Sequence, residues 1–583
     1  MPSMRPSVQR LTDLGVVAAI AAGISVASQS WSGFNSPDSE FYASLALFGS
    51  DVTDRAFEPA YTWTRLGYIV PVRALVTVFG TWVGFEMWRC LLITLIVGSI
   101  YAAGTITGRS RVLAGSLSIF VGLNTVVLAF VGNTYLTGTA IAVMFALITV
   151  SLSFLGSHGS HGRGLLGTPR WTTGVLSGLL AGWLIMINPY AFILGGAIWG
   201  GVRITSLVLL RDDRIRRLTI DGVAGLAGAA LSIAVFLATG RSIFPELNWW
   251  TTYLEWNSRL DYTVFIIDAN TWQRDSALLI VVASVVISLV TVIVYPARRW
   301  AWAAITIGAT NVAVTAILMI SFTGPWLEAP TYIAKLWPAS LISLALAFFT
   351  IAPGTRESRP AYRIVIVLGA TVTIPALLWS GRFDGTLSRA VTWLLASLVA
   401  ILIIGMLLLA RRAWNRWVAV ALSATMLVTF VSAQILQNGR GLLGGYGQYP
   451  FRSAFVDFNY REQMEAKIDV QRWLIARTSP DDTIALWTDP QFLTADVAAM
   501  QLWGGYNIFT RDAELNRETT MRLEEIRPSV VALYAPDKTH VDTLYETLPP
   551  WALPSELECT EQPYLGVGTG QVVACLTRLT WVG

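Results

Sequence analysis

Apolar runs of spanning length recur along most of this sequence, and clusters of Arg punctuate the gaps between them. A helix needs about 20 consecutive apolar residues to cross a bilayer core of about 30 Å. Runs that meet this need centre on 13–29, 84–106, 112–130, 136–155, 172–188, 191–210, 218–239, 277–296, 301–321, 335–353, 363–380, 391–410 and 417–436. The expected fold is therefore a polytopic α-helical membrane protein of about thirteen spans. Composition agrees: 54% of the 583 residues are hydrophobic and 13% charged, against about 25% charged in a soluble domain. A net charge of +4 over this length does not suggest a nucleic-acid partner.

The Arg clusters set orientation, because short cytoplasmic loops accumulate basic residues. Arg5 and Arg10, Arg109 and Arg111, Arg163 and Arg170, Arg211 to Arg217, Arg298 and Arg299, Arg356 and Arg359, and Arg411 to Arg416 alternate along the chain as thirteen spans require. Segment 66–80 (LGYIVPVRALVTVFG) is apolar but short, and carries Pro71 and Arg73. Counting it as a span would throw the later clusters out of register, so it reads as a helix at the membrane surface. The first run, with no convincing cleavage site after it, reads as a signal anchor. The N-terminus is expected inside and the C-terminus outside a bacterial cytoplasmic membrane.

The outer segments 29–83, 240–276, 322–334 and 381–390 are long and rich in Trp, Tyr, Asp and Glu. Interfacial anchoring explains part of the aromatic content, and a sugar-binding surface would explain the rest. From about Gln437 the acids concentrate and no spanning run remains. Strands at 483–487, 529–534 and 571–577, with helices near 462–478, 495–502, 513–526 and 541–547, predict a small extracytoplasmic α/β domain over 437–583. Cys559 and Cys575 flank a hairpin there and are candidates for a disulfide, which an outside location permits. The transmembrane part is 1–436.

The first outer loop, 29–83, carries the chemistry. Asp38 and Glu40 follow a Gly/Ser/Pro turn and precede FYASLALF, which reads as an amphipathic stretch at the interface. Acids held there are costly without partners or a task. An ion-pair cluster with Arg55 and Arg65 is one reading, and a catalytic site is the other.

The stretches PDSEFYASLALFG and EPAYTWTRLGYIVPVRALVTVFG, and the span opening Phe85-Glu-Met-Trp-Arg89, resemble the GT-C superfamily of membrane glycosyltransferases. The nearest branch is that of the protein O-mannosyltransferases and lipid A aminoarabinose transferases. The motif resemblance covers about residues 10–110, with Asp-Ser-Glu where many members carry adjacent Asp-Glu. It implies a GT-C-like fold and transfer of a sugar from a polyprenyl-phosphate donor to a glycan, lipid or protein acceptor. Asp38 is then the carboxylate that orients or deprotonates the acceptor hydroxyl, with Glu40 in support.

Cations would stabilise the departing phosphate, and the candidates are Arg65, Lys335 and Arg389. Lys335 is the only Lys of the membrane part, where snorkelling to the interface is the plainer reading. Glu58 and Tyr61 are candidate substrate-binding residues. Some branches use a divalent cation, magnesium or manganese, which Asp38 and Glu40 would hold; others need none. Within that resemblance, an arabinosyl- or mannosyltransferase of cell-wall assembly is the setting implied. A transporter or flippase of lipid-linked sugars would share the apolar mass, but would show internal repeats and charged, broken helices at mid-membrane.

Overall fold

In the computed structural model the described residues are 6–27, 37–49, 61–108, 111–132, 136–156, 170–209, 214–259, 276–321 and 330–351, and, in the tail, 469, 472–479, 481–488, 527–535, 537–546, 548, 552–560, 564–565 and 571–581. The expected spans at 363–380, 391–410 and 417–436, and the tail helices near 495–502 and 513–526, lie outside them.

Helices α1 (Pro6–Ala27) and α4 (Thr81–Ile106) pack antiparallel. At one end Asp13 accepts hydrogen bonds from Tyr101 Oη, at 2.8 Å, and from Arg111 Nε. At the other end Arg89 Nη2 donates to the Ser25 carbonyl, one of the α1 C-terminal acceptors that no helical N–H reaches.

Between them come α2 (Pro37–Phe48), a 3₁₀ turn (Tyr61–Thr64) and α3 (Leu66–Phe79). The 14 residues of α3 extend about 21 Å at 1.5 Å each, too short to span. Gly80, at φ 82°, adopts a left-handed conformation closed to most side chains and turns the chain into α4.

The run at 112–130 is not one helix. It divides into α5 (Arg111–Gly122) and α6 (Thr125–Val131), because the Asn124 side chain accepts from Val127 N at 3.2 Å and starts a new helix. Then follow α7 (Leu136–Gly156), α8 (Arg170–Ile187), α9 (Pro189–Leu209), α10 (Arg214–Ile243), α11 (Trp249–Arg259), α12 (Ser276–Val294), α13 (Arg299–Ser321) and α14 (Pro330–Ile351). Asn188 and Pro189 separate α8 from α9 by the same device: the Asn188 Oδ1 accepts from Tyr190 N at 3.0 Å, and Pro opens the new helix.

Five helical segments among the described residues are long and apolar enough to cross a membrane: Thr81–Ile106, Leu136–Leu155, Pro189–Leu209, Thr219–Ile243 and Arg299–Leu318.

Helices α8 and α10 meet with almost no side chain between them. Gly174, Gly178 and Gly182 recur every fourth residue along α8. A Cβ added at Gly178 would lie 1.9 Å from the Gly225 carbonyl oxygen, and one at Gly228 2.2 Å from that of Val175. Such small-residue seams let backbones approach where the solvent is as apolar as the side chains. Beside the seam, Arg203 of α9 and Asp221 of α10 form a buried ion pair at 3.0 Å. The guanidinium carbon of Arg203 lies 3.6 Å from the centroid of the Phe154 ring.

The tail forms one sheet in the order β1-β2-β6-β3, from β1 (Ile484–Thr488), β2 (Val530–Ala535), β3 (Ala552–Pro554) and β6 (Gln571–Trp581). Strands β1 and β2 are parallel; β2 and β3 run antiparallel to β6. Short strands β4 (Glu558–Cys559) and β5 (Tyr564–Leu565) also pair with β6. Helix α15 (Lys538–Glu546) covers the sheet with Val541 and Leu544. Cys559 and Cys575 are register partners across β4 and β6 and form a disulfide. The tail touches the helical part where Arg472 Nη2 donates to Thr81 Oγ1 at 3.4 Å, beside the Gly80 turn.

Candidate functional site

Arg65 caps the N-terminal end of α3, and Lys335 lies in the second turn of α14. They are far apart in sequence and close in space. Both are nearly removed from the surface, Arg65 at 6% exposure and Lys335 at 4%, and the Arg65 charge repels the Lys335 ammonium. Burial, rather than snorkelling to the surface, is the state of Lys335. Two buried cations acting on one another are costly to keep without partners.

The chain around Arg65 is held from several sides. Trp249 Nε1 of α11 donates to the Thr64 carbonyl at 2.7 Å, and Trp183 Nε1 of α8 donates to the Gly67 carbonyl at 2.7 Å. The Gly67 carbonyl belongs to the first turn of α3, and that of Thr64 ends the 3₁₀ turn just before Arg65. The Trp63 ring stacks on Phe244 with centroids 5.8 Å apart. A run of ring contacts continues inward from Tyr42 to Tyr68, Trp88 and Trp183, each with centroids 6.0–6.4 Å apart.

The helix bearing the first-loop acids is not a surface element. Tyr42, Ala43, Leu45 and Ala46 are each 1% exposed or less, so α2 from Tyr42 onward is largely buried rather than amphipathic. The residues FYASLALF are apolar around nearly the whole helical circumference, a pattern that belongs in an interior. Arg73 of α3 ties the end of α2 by donating from Nη1 to the Ala46 and Leu47 carbonyls at 3.2 and 3.1 Å. Gly49, at φ 54°, closes that end; a Cβ there would meet the Arg73 guanidinium carbon at 2.7 Å.

Asp38 and Glu40 lie in the first turn of α2. Tyr42, one turn on from Asp38, packs against Tyr68, which lies three residues beyond Arg65. Tyr61 opens the 3₁₀ turn that leads into Arg65. Glu58 and Arg389 lie outside the described residues.

Neither the Trp249–Tyr253 pair nor the Arg203–Asp221 pair was read from the sequence as a unit. The aromatic cluster of the 240–276 segment was the available signal for the first. For the second, the signal was an acid and a base within two apolar runs, which membranes tolerate only when paired.

No family model matches the sequence, and no curated protein does. Solved structures do. The fold is similar to the crystal structure of ArnT from Cupriavidus metallidurans bound to undecaprenyl phosphate, with a TM-score of 0.49 and 15% identity over 97% of this chain and 98% of that one. The apo state of the same protein gives a TM-score of 0.45 at 15% identity, covering 98% of each chain. The archaeal oligosaccharyltransferase AglB from Archaeoglobus fulgidus, in complex with an inhibitory peptide and a dolichol-phosphate, gives 0.43 at 10% identity over 91% of this chain and 70% of that one.

Proposed function

We propose that this protein is a glycosyltransferase that moves a sugar from a polyprenyl-phosphate donor to a cell-envelope glycan, lipid or protein acceptor on the outer face of the membrane. The observation that carries the reading is the convergence of Arg65 and Lys335, both buried, beside the helix that bears Asp38. The GT-C-like motifs of the first loop support it.

In this reading the acceptor hydroxyl attacks the anomeric carbon, Asp38 takes its proton, and the bond from that carbon to the phosphate oxygen breaks. The product has inverted stereochemistry. The departing polyprenyl phosphate gains negative charge as it leaves, and Arg65 and Lys335 stabilise that charge in the transition state. A phosphate is already a good leaving group, so no general acid is needed. Arg389, Glu58 and Tyr61 are proposed contacts to donor or acceptor, and Glu40 supports Asp38.

The test is transfer by the purified protein from a panel of polyprenyl-phosphate sugars, with and without a chelator. Asp38→Asn is expected to abolish transfer while leaving thermal stability and binding of undecaprenyl phosphate intact. Full transfer by that variant overturns the assignment.

A further inference from the structure

Helix α11 grips the chain at Arg65 twice. Trp249 binds the preceding carbonyl, that of Thr64, at 2.7 Å. Tyr253, one turn along α11, places its ring under the Arg65 guanidinium, whose carbon lies 5.6 Å from the ring centroid. The two aromatic rings stack almost parallel, 5.2 Å apart and tilted by 4°, so Trp249 fixes Tyr253 as well as the backbone. On its other side α11 exposes Trp250 and Leu254, at 58% and 63%, the kind of apolar face that seats an outer-loop helix at the membrane interface.

A guanidinium held over a ring face is restrained by cation–π attraction without using an N–H group, and its planar fork of donors matches phosphate oxygens. Arg also carries large rotamer freedom, and a ring held from behind removes part of it before any ligand arrives. We propose that Tyr253, backed by Trp249, is a positioning residue that pre-orients Arg65 for the phosphate of the lipid-linked donor. This rests on the reading of Arg65 as a phosphate contact given above.

The experiment measures binding of undecaprenyl phosphate and, separately, of undecaprenol, which has the same chain and no phosphate, to the full-length protein in nanodiscs. Tyr253→Leu is expected to weaken phosphate-lipid binding on the order of 3- to 30-fold, the affinity equivalent of a cation–π contact, with undecaprenol binding unchanged. Tyr253→Phe keeps the ring and stays within about twofold of the parent, by the same reasoning. Combined with Arg65→Ala, Tyr253→Leu adds no further loss. Tyr253→Met serves identically if the Leu variant does not fold.

A Tyr253→Leu protein that binds the phosphate lipid normally, while Arg65→Ala does not, overturns the positioning role and leaves the site reading standing. Equal losses for both lipids also overturn it, because the ring would then be a contact for the chain or a support for the fold. Normal phosphate-lipid binding by Arg65→Ala overturns the site reading itself, and the positioning role with it.

Discussion

Replacing Asp221 by Asn should be among the most damaging single changes in the described part of the membrane region. Asp221 and Arg203 meet at 3.0 Å with side chains 3% and 8% exposed. At an effective dielectric of about 20, two unit charges at that separation attract by about 5 to 6 kcal/mol. Asn keeps the shape and can still accept a hydrogen bond, but it removes the Asp221 charge from beside the Arg203 guanidinium, which is buried against Phe154. Breaking one side of such a pair costs about 3–5 kcal/mol. Removing both charges, as in Arg203→Met with Asp221→Leu, also removes the desolvation penalty and should fall within about 1–2 kcal/mol of the parent.

The assay is reversible unfolding in mixed micelles, followed by tryptophan fluorescence while the denaturing detergent is titrated, for Asp221→Asn and for the cycle of parent, Arg203→Met, Asp221→Leu and the double variant. The expected coupling is at least about 2 kcal/mol. An Asp221→Asn protein within about 0.5 kcal/mol of the parent, or two single changes that simply add, would refute the argument that the charges sustain each other.

Three other outcomes follow from the packing. Gly178→Leu should destabilise the helical part by at least about 1–3 kcal/mol in the same titration, because even the Cβ meets the Gly225 backbone and the helices must separate. Reducing the Cys559–Cys575 bond, which spans 16 residues, should cost the tail about 3 kcal/mol, seen as a lower tail transition on adding reductant. Asp482 loses hydration by burial, which would raise its pKa. Hydrogen bonds from Arg578, the Ser479 N–H and Ser529, with the Arg578 charge, outweigh this and hold the carboxyl below the usual range. Its contribution is therefore full above the unfolded value of about 3.9 and is lost as pH falls further toward the folded one. Asp482→Asn should flatten the loss of tail stability below about pH 4, read by circular dichroism.

The positions of the helices were legible in the sequence because the signal for them is local. Lipid demands about 20 apolar residues in a row, and each such run declares itself without reference to any other. The short apolar helix before Gly80 was legible for a related reason: its length and its place between Arg clusters forbade a span. The tail strands at 484–488, 530–535 and 571–581 showed as β-branched and aromatic runs between turn residues. Asn124 was the local signal that went unread, a capping residue inside what looked like one continuous run.

The first-loop acids and the cations at Arg65 and Lys335 could be picked out as charges in costly places. Their arrangement could not. Arg65 acts on Lys335 and lies over the Tyr253 ring across nearly 200 residues or more of intervening chain, and Arg203 of α9 pairs with Asp221 of α10 beside the glycine seam. These contacts depend on which helices pack together. In a membrane that choice is made by close-fitting surfaces and paired polar groups, which no single run of sequence displays. The chain's own residues thus determined that it is a bundle of membrane helices with an acidic first loop and a sheet-containing tail. Only the tertiary structure decided that the loop's helix is buried from Tyr42 onward, that the buried Arg65 acts on the buried Lys335, and that the Tyr253 ring of a distant helix lies under Arg65.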